Sequence, residues 1–251
     1  MTVVAPPPAR VRAAIGAGVR PDGAFPLRDA VALLDAAELP FEDGVLRNPD
    51  GTLIVRTRSE LPGVTPAMVD WWFAWHLASS ERYRLWHPPA HVSCATARDI
   101  SRQADTPGAY VGSTGRVTEY VGRRKLHLSI TFVDPRRYGL TPDALAAAGN
   151  AVAVCGRTAL RTPRIATGHL IHVVRNVPGG SEMRSCFWLA DVDVGLPIAA
   201  GLVNRVINHP ALRRRSAPDQ LGLDLLTHCS EEMHHFSRFL PDLYARAHKS
   251  A

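Results

Sequence analysis

The clearest pattern in the chain is an alternation. Over residues 125–132, "KLHLSITF", the apolar Leu126, Leu128, Ile130 and Phe132 take every second position, which predicts a strand with one face turned to a core. Further on, "TGHLIHVVRNVPGG" and "EMRSCFWLADVDV" flank a Pro-Gly-Gly turn and predict an antiparallel hairpin. The middle of the chain, residues 108–193, therefore reads as a sheet.

Outside that region the period lengthens. Residues 26–37, "PLRDAVALLDAA", carry helical spacing, and "GTLIVRTRSELPG" (51–63) reads as a strand that stops at a proline. "TPAMVDWWFAWHLAS" (65–79) opens with Thr65 as N-cap and Pro66 in the first turn, and it is apolar on nearly every side, so a buried helix is expected. Residues 220–240 return to a helical period, with Leu221, Leu225, Phe236 and Phe239 placed for a core, and Pro241 is expected to close the element. Strands in the middle and a long helix at the end predict an α+β fold in which the last helix lies across a curved antiparallel sheet. With no internal repeat and no linker, residues 25–245 read as one domain, preceded by a segment 1–24 expected to be flexible at its start.

Composition narrows the picture. A chain of 251 residues, 46% of them hydrophobic, can bury a substantial core. Nowhere do about 18 uncharged apolar residues run together, and "TVVAPPPAR" at the start is broken by prolines, so a soluble, cytoplasmic protein with no membrane partner is expected. Cys94, Cys155, Cys186 and Cys229 occur singly, without a C-x-x-C pair, and read as free thiols. The net charge of +6 comes from short arginine clusters such as "GRRK" and "LRRRS", which no nucleic-acid motif accompanies; no nucleic-acid partner is expected. The phosphate-cradling, dinucleotide-binding and nucleophile-elbow glycine motifs are missing, as is H-E-x-x-H.

Candidate chemistry concentrates in "HCSEEMHHF" (228–236). At about 100° per residue, His228, Glu232 and His235 share a face, and that face also carries Leu221, Leu225 and Phe239. Glu231 and His234 point sideways, toward solvent. A carboxylate and an imidazole on an inward face are costly unless hydrogen-bonded or bound to a metal, so the plain alternative is a satisfied polar cluster. A His-x-x-x-Glu pair supplies two zinc ligands, and a site needs three or four. The next source is "RYRLWHPPAHV" (82–92), where His87 and His91 bracket two prolines; the stiff loop is expected to hold one ring inward and the other elsewhere, and spacing does not choose between them. Glu119, between Val117 and Val121 at period two, is the best-placed carboxylate on a strand. Trp71, Trp72, Trp75 and Trp86 offer either core or an aromatic wall.

The blocks "MVDWWFAWHLASSERYRLWHPPAHV" (68–92), "VTEYVG" followed by "ITFVDP" (117–135), "GHLIHVVRNVPGGSEMRSCFWL" (168–189) and "THCSEEMHHFSRFLP" (227–241) together resemble the diacetylphloroglucinol hydrolase and phloretin hydrolase family, over roughly residues 25–241. The resemblance implies a Bet v 1-like helix-grip fold, a mononuclear Zn²⁺ site, and hydrolysis of the carbon–carbon bond between an acyl group and a phenolic ring. It implies His91, Glu119, His228 and Glu232 as metal ligands, setting His87 aside. It also implies His172 and Tyr83 in the substrate cavity, the first for proton transfer and the second as partner of a ring hydroxyl, with Glu232 a candidate for a double role as ligand and base. Cys94 stands where the family places an asparagine, and Phe187 where it has a second phenol. Both lose a hydrogen-bonding group, so a less hydroxylated or larger substrate is expected. The substrate class is an acylated phenol or a polyketide, and the runner-up activity is a cyclase or lyase in the same cavity. A homodimer is compatible with all of this.

Overall fold

In the computed structural model, residues 4–35, 37, 39, 41–161, 165–194 and 200–249 are described. The strands are Val19–Arg20 (β1), Gly44–Arg47 (β2), Leu53–Pro62 (β3), His91–Thr96 (β4), Thr114–Val121 (β5), Arg124–Phe132 (β6), Val152–Leu160 (β7), Ala166–Val177 (β8) and Gly180–Asp193 (β9). The α-helices are Ala9–Ala17 (α1), Pro66–Trp75 (α2), Ser80–Trp86 (α3), Pro142–Ala147 (α4), Ala200–Ile207 (α5), Pro210–Ser216 (α6) and Asp219–Lys249 (α7). The strands form one sheet in the order β1-β2-β3-β9-β8-β7-β6-β5-β4, antiparallel throughout except for the β1/β2 pair. Strands β4 to β9 are thus a meander, and β3 joins at the far side of β9. The long α7 is gripped by the sheet, the helix-grip arrangement expected.

Each expected element has a counterpart. The Pro-Gly-Gly turn joins β8 to β9, with Val177 opposite Gly180 and Gly179 at φ +84, a conformation that favours glycine. Thr65 caps α2 by accepting from the Met68 amide at 3.3 Å, an interaction worth about 1 kcal/mol. Residues 27–34 form a 3₁₀ helix, not an α-helix. The N-terminal segment contributes α1, whose Val11 is fully buried in the main core.

Alternation is cleanest in β6 because most of the other strands are covered on both faces. The inner face of the sheet packs on α2 and α7, whereas Leu33, Tyr138, Leu140 and the outward residues Ile54, Ile171 and Trp188 build a second core on the outer face. Covered on two sides, β8 and β9 are buried along most of their length, His169, His172, Arg184 and Ser185 included.

Pro241 does not end the last helix, which continues to Lys249. A mid-helix proline forfeits one backbone hydrogen bond. Packing beyond it offsets the loss: Tyr244 meets Trp71 edge-on at 5.3 Å, and His248 Nε2 lies 2.7 Å from Asp105. Upstream, Leu226, Met233 and Phe236 are fully buried, each worth about 1.5–3 kcal/mol of transfer free energy. At Gly222 the helix rests directly on the sheet; a Cβ there would sit 2.7 Å from Val45 Cγ1 and 3.0 Å from Leu53 Cδ2.

Candidate metal and substrate site

Helix α3, capped by the Ser79 hydroxyl on the Arg82 amide at 3.2 Å, turns Tyr83 and Trp86 inward and ends at His87. The two prolines that follow occupy the start of one tight turn, where their missing amides cost nothing. That turn closes with the Ala90 and His91 amides donating to the His87 carbonyl at 3.0 and 2.9 Å. It brings His87 and His91 to the same side, against the expectation that the loop would separate them; both rings are buried, with centroids 5.7 Å apart.

On the sheet, β4 pairs with β5 so that His91 lies directly opposite Glu119. Helix α7 then lays His228 and Glu232, one turn apart, over this pair. His91 Nε2 stands 3.4 Å from Glu232 Oε1 and 3.9 Å from Glu119 Oε2, and the His91 and His228 rings are 5.4 Å apart. Glu119, His228 and Glu232 thus each lie near His91. His87 joins them, its ring 4.8 Å from His228, and the ligating atoms of His87, His91 and His228 all lie within 4.8 Å of one another. Glu231, expected to face solvent, is half-buried and approaches His87 Nε2 at 3.4 Å. His235 shares the helix face of His228 but lies about 10 Å further along the axis, where its ring packs at 5.4 Å on Phe239.

Tautomer and charge can be read from the neighbours. His91 Nδ1 is 3.0 Å from the Tyr83 carbonyl, which can only accept, so the proton sits on Nδ1 and the lone pair on Nε2. That Nε2 is buried with no hydrogen-bond partner. The Tyr83 ring lies flat on His91, 3.9 Å between centroids, and its hydroxyl donates to Glu119 Oε2. Tyr83 thus has its proton committed to a carboxylate, not to a substrate hydroxyl.

Burial raises the carboxyl pKa of Glu119, partly countered by the Tyr83 hydrogen bond and by His87. Burial raises Glu232 well above its usual range, and Glu119 adds to the effect. Burial pushes His228 down to about 3, with His87 lowering it further and a hydrogen bond to the Tyr120 backbone acting the other way. His91 is likewise held well below its usual value, by burial and then by His228. The contacts between His91 and the two glutamates are therefore not ion pairs in the metal-free protein. Among the described residues neither carboxylate has a lysine or arginine partner. His91 Nε2 is a buried acceptor without a hydrogen-bond donor beside two buried carboxyl groups, and nitrogen and oxygen ligands in this arrangement could hold a divalent cation such as Zn²⁺.

A cavity of about 340 Å³ opens beside the cluster, between α7 and the inner face of the sheet. Tyr83, Glu119, His172, His228 and Glu232 border it, and much of the remaining wall is aliphatic or aromatic, including Leu128, Ile130, Phe132, Leu170 and Leu225. Phe187 lines it as expected. Cys94 does not: its Sγ turns to the Leu77 carbonyl at 3.7 Å, one layer behind the wall, and burial pushes its thiol up to about 12. Of the tryptophans only Trp86 borders the cavity; Trp72 packs edge-on against Phe236 and Phe239 and serves to seat α7 on α2. His172 is inside, its Nδ1 2.8 Å from the Ser185 hydroxyl, and burial lowers its pKa to about 4. His169, three residues earlier, faces the outer side, with its Nδ1 2.8 Å from the Tyr138 hydroxyl and its Nε2 2.8 Å from Asp191. All four cysteines are free. No helix among the described residues is long and apolar enough to cross a membrane.

Fold and site together define a helix-grip protein with an internal apolar cavity headed by a cluster of imidazoles and carboxylates. Residues 25–245 match the family described as the DAPG hydrolase PhiG domain, and the chain belongs to that family. It is 31% identical over 223 residues to a 2,4-diacetylphloroglucinol hydrolase from Pseudomonas sp, covering 87% of this chain and 76% of that relative. It is 28% identical over 204 residues to the phloretin hydrolase of Eubacterium ramulus, covering 78% of this chain and 69% of that one. Among solved structures, that of Ara h 8.0201 aligns with 71% of this chain and 99% of its own, at 12% identity and a TM-score of 0.34.

His76 is the cavity-lining residue that sequence reasoning missed. It follows Trp72 by one helical turn in "WWFAWH", a spacing that lets its ring bond the preceding turn's carbonyl.

Proposed function

We propose that the protein is a zinc-dependent hydrolase that cleaves the bond between an acyl carbon and a ring carbon of an acylated phenol. Water adds to the acyl carbon and a proton to the ring carbon, giving a carboxylic acid and a deacylated phenol. The observation that carries the reading is the unpartnered His91 Nε2, aimed at Glu119 and Glu232 at the head of an apolar cavity.

His91, Glu119, His228 and Glu232 would hold the ion. A divalent ion there supplies Lewis acidity toward water or a carbonyl oxygen. Tyr83 fixes two of the ligands at once, His91 through its carbonyl and Glu119 through its hydroxyl. Glu119 and Glu232 both face the cluster and the cavity, and because Glu119 already accepts from Tyr83, Glu232 would be the carboxylate free to accept a proton from water. His172 rests neutral. Its first act is therefore to take a proton, from a ring hydroxyl or from water, and its second is to return that proton to the ring carbon as the acyl bond breaks. The aliphatic walls exclude competing water and accept the hydrocarbon part of the acyl group.

The test joins metal analysis to product analysis. Purified protein equilibrated with Zn²⁺ and dialysed should retain the metal, His228→Ala and Glu232→Ala should not, and His87→Ala should. Loss of metal in His87→Ala with retention in Glu232→Ala would move the site to the three-histidine group. Incubation with phloretin or diacetylphloroglucinol should release a carboxylic acid; a rearranged product without acid would favour a cyclase or lyase instead.

A further inference from the structure

We propose that His76 is the cavity's hydrogen-bond acceptor for a hydroxyl of the substrate ring, and so a specificity-determining residue. This deepens the hydrolase reading and rests on it for the class of ligand.

His76 sits in the 3₁₀ turn His76–Ala78 that follows α2. It is 2% exposed and borders the cavity. Its Nδ1 lies 2.7 Å from the Trp72 carbonyl oxygen. A carbonyl has lone pairs and no proton, so Nδ1 must carry the hydrogen, and in the neutral ring Nε2 is a bare acceptor on the side turned away from the helix. Burial holds the ring neutral, with a pKa of about 4. The Trp72 ring is stacked on it at 5.1 Å and 14°, with Phe73 and Trp86 edge-on at 5.6 and 5.3 Å. Those contacts clamp the plane of the imidazole, and flipping it would forfeit the bond to Trp72.

Among its neighbours, Tyr83 gives its proton to Glu119 and keeps only acceptor capacity, Cys94 lies behind the wall, and Phe187 has no polar atom. His172 differs in kind. Its Nδ1 meets a hydroxyl, Ser185, which can donate or accept, so its protonation pattern is free to change during a reaction. His76, fixed by a carbonyl, cannot exchange roles in that way. It is suited to recognition, and among the described residues its Nε2 has no protein partner. An acceptor in an apolar wall selects a ligand that brings a donor: a free ring hydroxyl satisfies it, and an ether or a bare C–H leaves it unpaired.

The experiment uses the Zn²⁺-loaded protein with phloretin and its mono-O-methyl ethers, read by quenching of tryptophan fluorescence and, separately, by acid release. Wild-type protein should bind phloretin about tenfold or more tightly than the ether blocked at the recognised hydroxyl. His76→Phe keeps the ring packing, and the Trp72 carbonyl still accepts the His76 backbone amide, so metal content and melting should hold while the preference collapses. His76→Gln, which returns an acceptor, should recover part of it. Indifference of the wild type to methylation at every hydroxyl, failure to bind phloretin, or an unchanged preference in His76→Phe would each overturn the proposal. Preference without acid release removes the hydrolase reading and leaves His76 as the selector; acid release with no preference does the reverse. Should His76→Phe fail to fold, His76→Gln decides: a preference unchanged from wild type would overturn the proposal, and a weakened one would support it.

Discussion

His169 and His172 lie three residues apart on β8 and are both buried, yet they live under different rules. On the outer face, His169 has a partner on each nitrogen, and Asp191 beside it is shared with Arg157 and Arg213. Arg184 and Glu42 form a similar buried ion pair at 2.8 Å on that side. On the inner face, carboxylates meet carboxylates and imidazole lone pairs meet both. Polar groups in the outer core are held by ion pairs and hydrogen bonds within the chain, with Glu42 Oε2, Arg56 Nη2 and Arg184 Nε held by charge alone, which makes them struts. In the inner core the ring nitrogens of His87 and Nε2 of His91 are left without a hydrogen-bond partner, where the proposed ion would sit.

Substituting one histidine at a time should break or sharpen that contrast. The largest effect is expected at His172: alanine should lower turnover about 10²- to 10⁴-fold with metal content unchanged. His169→Ala should leave turnover nearly intact and instead reduce stability by about 1–3 kcal/mol, because the Tyr138 hydroxyl loses its partner. Steady-state rates and urea midpoints on the two variants check this, and equal losses of turnover would erase the distinction.

Next in size is Tyr83→Phe. It removes the hydroxyl that orients Glu119 and leaves the carbonyl that orients His91, so Zn²⁺ affinity should fall about 10- to 100-fold without being abolished. Competition with a fluorescent chelator measures it; an unchanged affinity would remove Glu119 from the ligand set.

Acid stability offers a further check. His76 and His172 titrate near 4 in the folded chain against 6.5 when exposed, in both cases chiefly through burial. The unfolded chain therefore takes up protons that the folded one refuses. Their contribution is complete above about pH 6.5 and drains away as the pH falls toward 4, at about 1.4 kcal/mol per pH unit for each ring. Urea midpoints between these limits should fall less steeply in His172→Ala, and an unaltered slope would mean that the ring is not held neutral.

Much of this was legible in the sequence because strands and helices stamp their periods on it. Alternation placed Glu119 between Val117 and Val121, and the 3.6-residue turn placed His228 and Glu232 together. What escaped depended on contacts between distant segments. Nothing local says that Tyr244 and His248 will dock and carry the helix past Pro241. The two prolines after His87 read as a stiff spacer, whereas at the head of a single turn they fold His87 back beside His91. Tyr83 was expected to meet a substrate, and only the pairing of β4 with β5 brings a carboxylate within its reach. Cys94 shows a related effect: its sulfur turns to the Leu77 carbonyl, and Leu77 and Gly115 border the cavity in its place.

Gly222 has a part in this that its size conceals. Six residues, about 9 Å along the axis, separate it from His228, and it is the point at which α7 bears on Val45 and Leu53. A bulkier residue would act as a wedge, tilting the helix about its downstream anchors and withdrawing His228 and Glu232 from the strand that carries Glu119. The bite of the proposed site on a cation, which would tolerate errors of only about 0.2 Å in each bond, would be calibrated by a hydrogen atom where any other amino acid has carbon.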